Sequence, residues 1–208
     1  MFFSFDGLDG AGKTTQIDRF VEWLRAAGHD VVQCYDPGCT PLGEAVRALL
    51  LGHAVRIDRT SEMLLFMAAR AQMVTEVIRP ALAAGQTVVS DRYLLANLVY
   101  QGYAGGLDVE TIRRIGQTAT AGILPDLVFV LDMPPETAAG RIDRDRDRME
   151  SQGAEYEGRL RQGFLTEAAR DPEHLIVINA DREVQVVHAD IRAAAERLLS
   201  HAPTRSTA

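Results

Sequence analysis

Near the start of the chain an apolar run, Phe2-Phe3-Ser4-Phe5, breaks into GLDGAGKTT at positions 7–15. The spacing of Gly7, Gly12, Lys13 and Thr14 fits G-x-x-x-x-G-K-[ST]. Behind it, Ile17, Phe20, Val21 and Leu24 recur at helical intervals. A strand must therefore enter this turn and an amphipathic helix must leave it, which restricts the fold more than any other stretch. Glycine lets the backbone curl until the N–H groups of Gly7, Leu8, Asp9, Gly10, Ala11, Gly12, Lys13, Thr14 and Thr15 face one anion. The helix N-terminus adds partial positive charge. Lys13 is placed to reach the β- and γ-phosphates of a nucleoside triphosphate, and the Thr14 hydroxyl to ligate magnesium. Of the 22 basic residues, Lys13 is the only lysine, so a compact ammonium stands here and arginine everywhere else.

Downstream, β-rich runs alternate with helical patterns. Strands are expected over 2–6, 30–34, 86–90, 126–132 and 174–179. Helices are expected over 13–27, 42–51, 59–83, 93–101, 108–121, 135–143, 153–170 and 183–199. This order implies an α/β fold, a five-stranded parallel sheet with helices on both faces, in one domain spanning 1–199 with a polar tail at 200–208. Hydrophobic residues make up 47% and charged residues 25%, an ordinary globular balance. No apolar run approaches the length of a membrane span. A net charge of -7 argues against a nucleic-acid partner. Cys34 and Cys39 are too few for a disulfide framework, so a cytoplasmic chain with reduced thiols is expected.

Other residues add chemistry. Asp9 is an acid among phosphate-binding amides and must turn toward a hydroxyl or the metal's water shell. SDRY, Ser90 to Tyr93, closes the third strand, which puts Asp91 and Arg92 at the sheet edge where ligands bind. There Asp91 can hold magnesium's waters and Arg92 can fork two phosphate oxygens. On the long helix Phe66 and Arg70 are four residues apart, a ring and a guanidinium side by side. Asp132 ends its strand before Pro134 and Pro135 and reads as a helix cap. A guanine-nucleotide switch needs an Asn-Lys-x-Asp reader, impossible with one lysine, and no Leu-Ser-Gly-Gly transporter signature occurs. Small kinases remain, in which a second substrate accepts the phosphoryl group.

GLDGAGKTT, LLFMAARAQMV at 64–74, SDRYLLANLVYQG at 90–102, PDLVFVLDMPPE at 125–136 and DRME at 147–150 follow in order. Together they resemble the thymidylate kinase family over almost the whole chain. The resemblance implies transfer of the ATP γ-phosphoryl group to dTMP, with magnesium, by a P-loop nucleoside monophosphate kinase. It implies that Phe66 stacks on thymine, Arg70 bonds its carbonyl and Asn97 reads the pyrimidine edge. It places Tyr100 against the sugar near the 2′ position, with Gln101 following it in the matching Tyr-Gln-Gly. Arg92 resembles the arginine on the acceptor phosphate, and Asp9 the acid at the sugar's 3′ side. The run RIDRDRDR at 141–148 resembles the family's short arginine-rich lid, about 141–152, with Arg144, Arg146 and Arg148 as candidate catalytic cations. Some members carry that arginine within the glycine loop, where this chain has Gly10. A homodimer is implied, with the helix 59–83 as a plausible interface. Departures exist as well. The family's Arg-Glu-Pro-Gly-Gly-Thr is here Tyr35-Asp36-Pro37-Gly38-Cys39-Thr40, and its Ser-Thr after Asp-Arg is Ala96-Asn97. These bear on acceptor binding and leave open another nucleoside monophosphate or deoxynucleoside kinase, or a non-catalytic nucleotide-binding subunit.

Overall fold

A computed structural model describes residues 1–52, 55–143 and 153–201. Its centre is a parallel sheet of β1 (Phe2–Gly7), β2 (Val31–Tyr35), β3 (Thr87–Asp91), β4 (Leu127–Asp132) and β5 (Leu175–Asn179). The strands lie in the order β2-β3-β1-β4-β5. All five begin and end within a residue or two of expectation.

Every residue of β1 is buried, as a central parallel strand requires. Its two faces feed different cores, because strand side chains alternate. Phe3 and Phe5 pack with Phe20, Leu160, Phe164 and Ile191. The rings of Phe3 and Phe20 meet edge-on at 5.1 Å, and Phe5 lies 4.9 Å from Phe129. Phe2 turns the other way, toward Met63, Met73, Ile78 and Tyr93.

Helix α1 (Lys13–Ala26) follows the glycine turn, and α2 (Pro41–Leu51) starts at Thr40, whose side chain accepts from the Gly43 N–H at 2.9 Å. The long helix expected at 59–83 is present but not uniform. It runs as α3 (Arg59–Met73), a π-helical turn at Val74–Ile78, and α4 (Arg79–Ala83). The helix expected at 93–101 is likewise α5 (Leu94–Asn97) followed by a π-helical stretch, Leu98–Tyr103. Then come α6 (Val109–Thr120), α7 (Pro135–Gly140), α8 (Ala154–Arg170) and α9 (Val184–His201). Helix α7 stops three residues before expectation, and α9 continues two residues past 199 into the expected tail. The rest of that tail lies outside the described residues, as does 144–152 of the proposed lid. Asp132 is not a helix cap: Arg161 on α8 donates to both its carboxylate oxygens at 2.7 and 2.8 Å, while Pro134 precedes α7.

Candidate active site

β1 lies between β3 and β4, so the crevice at its C-terminal end takes both the turn after β1 and the turn after β3. Gly7 leaves β1 at φ 138°, and a Cβ there would come within 2.5 Å of the Leu131 carbonyl on β4. Gly10 is more restricted. At φ 82° its Cβ would fall 2.1 Å from the Ala138 carbonyl oxygen on α7. No side chain, an arginine included, fits at position 10 while α7 keeps its place. Gly12 precedes α1 in the left-handed conformation, with no side-chain cap on the helix N-terminus.

Lys13 is buried beneath this loop. Its Nζ donates to the Leu8 carbonyl at 2.8 Å, to the Gly7 carbonyl at 3.3 Å and to Asp9 Oδ1 at 3.3 Å. Arg92 reaches the same place from β3. Its Nη1 donates to the Gly7 carbonyl at 3.1 Å and its Nη2 to Asp9 Oδ1 at 2.5 Å. Arg92 itself holds φ 67°, a left-handed conformation uncommon for arginine. The Tyr100 hydroxyl donates to Asp9 Oδ2 at 3.3 Å, and the Arg92 guanidinium lies over the Tyr100 ring at 5.0 Å. Asp9 is thus the meeting point of Lys13, Arg92 and Tyr100. Burial favours its neutral form, but Arg92 and Lys13 outweigh burial and hold the carboxyl below the usual carboxylate range. Burial and then the Arg92 charge lower the pKa of the Lys13 ammonium, and Asp9 opposes both.

A cavity of about 860 Å³ opens over this cluster. The loop from Asp9 to Thr15 forms one wall, with Asp91 and Arg92 beside it. Tyr35, Asp36 and Arg47 stand on one flank, and Arg141 and Arg182 on the other. Asp91 Oδ1 is buried with no hydrogen-bond partner among the described residues.

The residues expected to read a base form a second cluster. Arg70 is 1% exposed. Its Nε donates to Asp36 Oδ2 at 2.5 Å, and its Nη2 to the Tyr93 carbonyl at 3.2 Å. Asn97 Nδ2 donates to Gln101 Oε1 at 2.8 Å, and Gln101 Nε2 donates to Glu62 Oε1 at 2.9 Å. Phe66 is half-buried against Val46, Leu50 and Ala69. The clusters join at Asp36, which lines the large cavity while it pairs with Arg70. The expected lid arginines Arg144, Arg146 and Arg148 lie outside the described residues.

Several neighbouring residues stand outside the expectations from sequence. Glu62, Phe66 and Arg70 are spaced by four on α3, a signal that was available for Glu62. Asp6, a lone acid in an apolar strand, was another. It is fully buried, and burial pushes its carboxyl up to about 7 against the opposing charges of Arg92 and Lys13. Arg47 gave no local signal. Its guanidinium lies over the Tyr35 ring at 5.4 Å and donates to the Pro37 carbonyl at 3.0 Å, so a cation stands beside the position where the family's arginine is replaced by tyrosine.

A glycine loop after β1, with Asp91 ending the adjoining β3 and Arg92 directly after it, is the arrangement of a P-loop kinase. Comparison with known proteins gives the family. The thymidylate kinase profile matches residues 5–191. Thymidylate kinase of Bifidobacterium longum (strain DJO10A) is 45% identical over 93% of this chain and 96% of its own length. That of Desulforudis audaxviator is 44% identical over 98% of this chain and 94% of its own. The crystal structure of thymidylate kinase from Ehrlichia chaffeensis superposes with a TM-score of 0.79 at 30% identity, covering 94% of this chain and 98% of that one. The chain belongs to the thymidylate kinase family. No helix among the described residues is long and apolar enough to cross a membrane.

Proposed function

We propose that this chain transfers the γ-phosphoryl group of ATP to the 5′-phosphate of dTMP, giving dTDP and ADP. One observation carries the reading beyond family membership: Asp9 ties the ammonium of the glycine loop to Arg92 and Tyr100, so donor and acceptor groups meet at one carboxylate.

The acceptor oxygen is already anionic near neutral pH, so no general base is needed. The work is positioning and charge neutralisation. Backbone N–H groups from Leu8 to Thr15 cradle the triphosphate. Lys13 exchanges its carbonyl partners for β- and γ-phosphate oxygens. Arg92 holds the acceptor phosphate, and Asp9 keeps both cations aimed while it receives the sugar's 3′ hydroxyl. Phe66 stacks on thymine, while Arg70, Asn97 and Gln101 bond its edge. Tyr100 lies against C2′. The Thr14 hydroxyl and the unpartnered Asp91 oxygen are hard oxygen donors on the cavity wall and suit magnesium, which takes few protein ligands beside waters and phosphates. When bound, magnesium supplies charge neutralisation on the β- and γ-phosphates. Because Gly10 leaves no room for an arginine, the cation for the transferring group comes from Arg144, Arg146 or Arg148 in the lid.

The reading includes a cytoplasmic location and a homodimer. Exposed Leu49 on α2 and Leu64 on α3 support an apolar interface there. Sedimentation equilibrium tests the dimer: a monomer throughout the micromolar range removes it. The activity itself is tested by ADP release across dTMP, dUMP, UMP, CMP and thymidine. dTMP is expected to lead. Preference for a ribonucleotide contradicts the role of Tyr100, and ATP binding without transfer to any acceptor favours a non-catalytic subunit.

A further inference from the structure

Tyr100 is fixed from three directions. Its hydroxyl reaches Asp9 and its ring lies under Arg92. Its backbone carbonyl accepts a hydrogen bond at 3.0 Å from the hydroxyl of Tyr156, the third residue of α8. Tyr156 is 3% exposed, and Arg59 at the start of α3 donates to the same hydroxyl at 3.4 Å while lying over the ring at 5.4 Å. Tyr156, Tyr100 and Asp9 together line a separate cavity of only about 20 Å³. Nearby, α8 packs tightly on the π-helical stretch that carries Tyr100. A Cβ on Gly163 would sit 2.9 Å from Tyr103, and the Phe164 ring meets Tyr100 edge-on at 6.3 Å.

A π-helical turn bonds its backbone one residue further on than an α-helix and occurs frequently at functional sites. The Tyr156 hydroxyl pins the carbonyl of the residue that must stand close to the sugar. We infer that Tyr156 is a positioning residue for acceptor selection: through the Tyr100 carbonyl it holds the Tyr100 ring close enough to C2′ to exclude a 2′ hydroxyl. A ring alone at position 156 fills the core, but only the hydroxyl sets this distance. The inference rests on the acceptor reading given above.

The test compares dTMP with ribothymidine 5′-monophosphate, which differ only at C2′. Tyr156→Phe removes one oxygen and keeps the ring. It is expected to lower the ratio of kcat/KM for the deoxy over the ribo acceptor about fivefold, the scale of one buried hydrogen bond. KM for ATP should not change. In a Tyr100→Ala background the same substitution should leave the ratio where Tyr100→Ala put it, because two changes acting through one group do not add. A lowered Tm with an unchanged ratio makes Tyr156 a packing residue and overturns the inference. So does a full further drop in the Tyr100→Ala background. A wild-type chain inert toward both acceptors removes the acceptor reading and this inference with it, whereas a wild type that prefers dTMP and a variant that does so equally removes the inference alone.

Discussion

The glycine loop and the proposed base-reading cluster are built on opposite plans. The loop is local: consecutive residues from Gly7 to Thr15 curl over Lys13, and the cavity above them is wide. The second cluster is long-range. Asp36 and Arg70 are 34 positions apart, and Gln101 and Glu62 are 39 apart. These side chains are buried and largely bonded to one another. A polyphosphate is flexible and highly charged, so a cradle of amides accepts it in a wide opening. A flat base offers a few directional groups and is recognised by side chains held rigidly in advance. On the proposed reading the donor half depends on charge, and the acceptor half on a buried, mutually bonded set of side chains.

Substitutions divide along this line. Lys13→Ala should remove most turnover, about a thousandfold in kcat, with dTMP binding kept. Steady-state rates and dTMP calorimetry check this, and full activity would defeat the donor assignment. Asp36→Ala should instead damage the fold. It leaves the Arg70 guanidinium buried without its carboxylate, at a cost of about 3–5 kcal/mol in urea unfolding. Asp36→Leu with Arg70→Met should recover much of that stability without recovering dTMP affinity. A double variant that phosphorylates dTMP normally would break the contrast.

A smaller effect, on pH, comes from the strand beneath the loop. Burial raises the Asp6 carboxyl from 3.8 to about 7 in the folded chain. Between those values the folded chain keeps a proton that the unfolded chain has lost, so stability falls as pH rises from about 4 to 7. Asp6→Asn should flatten this slope. Relative to the original it should gain on the order of 2–4 kcal/mol at pH 8 and little at pH 4. Parallel pH–stability curves for the two proteins would show that Asp6 is not the group concerned. Least in size, Phe66→Ala should raise KM for dTMP about tenfold through lost stacking and leave KM for ATP alone. An equal rise in both would mean the ring supports the fold rather than the base.

The same division governs what the sequence disclosed. Strand and helix alternation placed β3 within one residue, at Thr87–Asp91 against 86–90, because buried parallel strands and amphipathic helices have distinct periods. The glycine loop was legible for the reason that it is contiguous. The π-helical turns at Val74–Ile78 and Leu98–Tyr103 were not, since no residue type or short motif marks where one extra residue enters a helix. Asp132 misled for a related reason. Its proline neighbours suggest a cap, but its partner Arg161 lies 29 positions away and no local rule points there. Resemblance to a family supplied Arg70 and Asn97 as base readers. It did not supply Asp36, the partner of Arg70 34 positions away, which only three-dimensional contact reveals.

Phosphorus NMR of the chain with ATP, magnesium and dTMP follows the phosphoryl group itself. The γ-phosphorus signal of ATP should be replaced by the β-phosphorus signal of dTDP, in step with ADP. Release of inorganic phosphate with no dTDP, or an unchanged ATP spectrum, would contradict it.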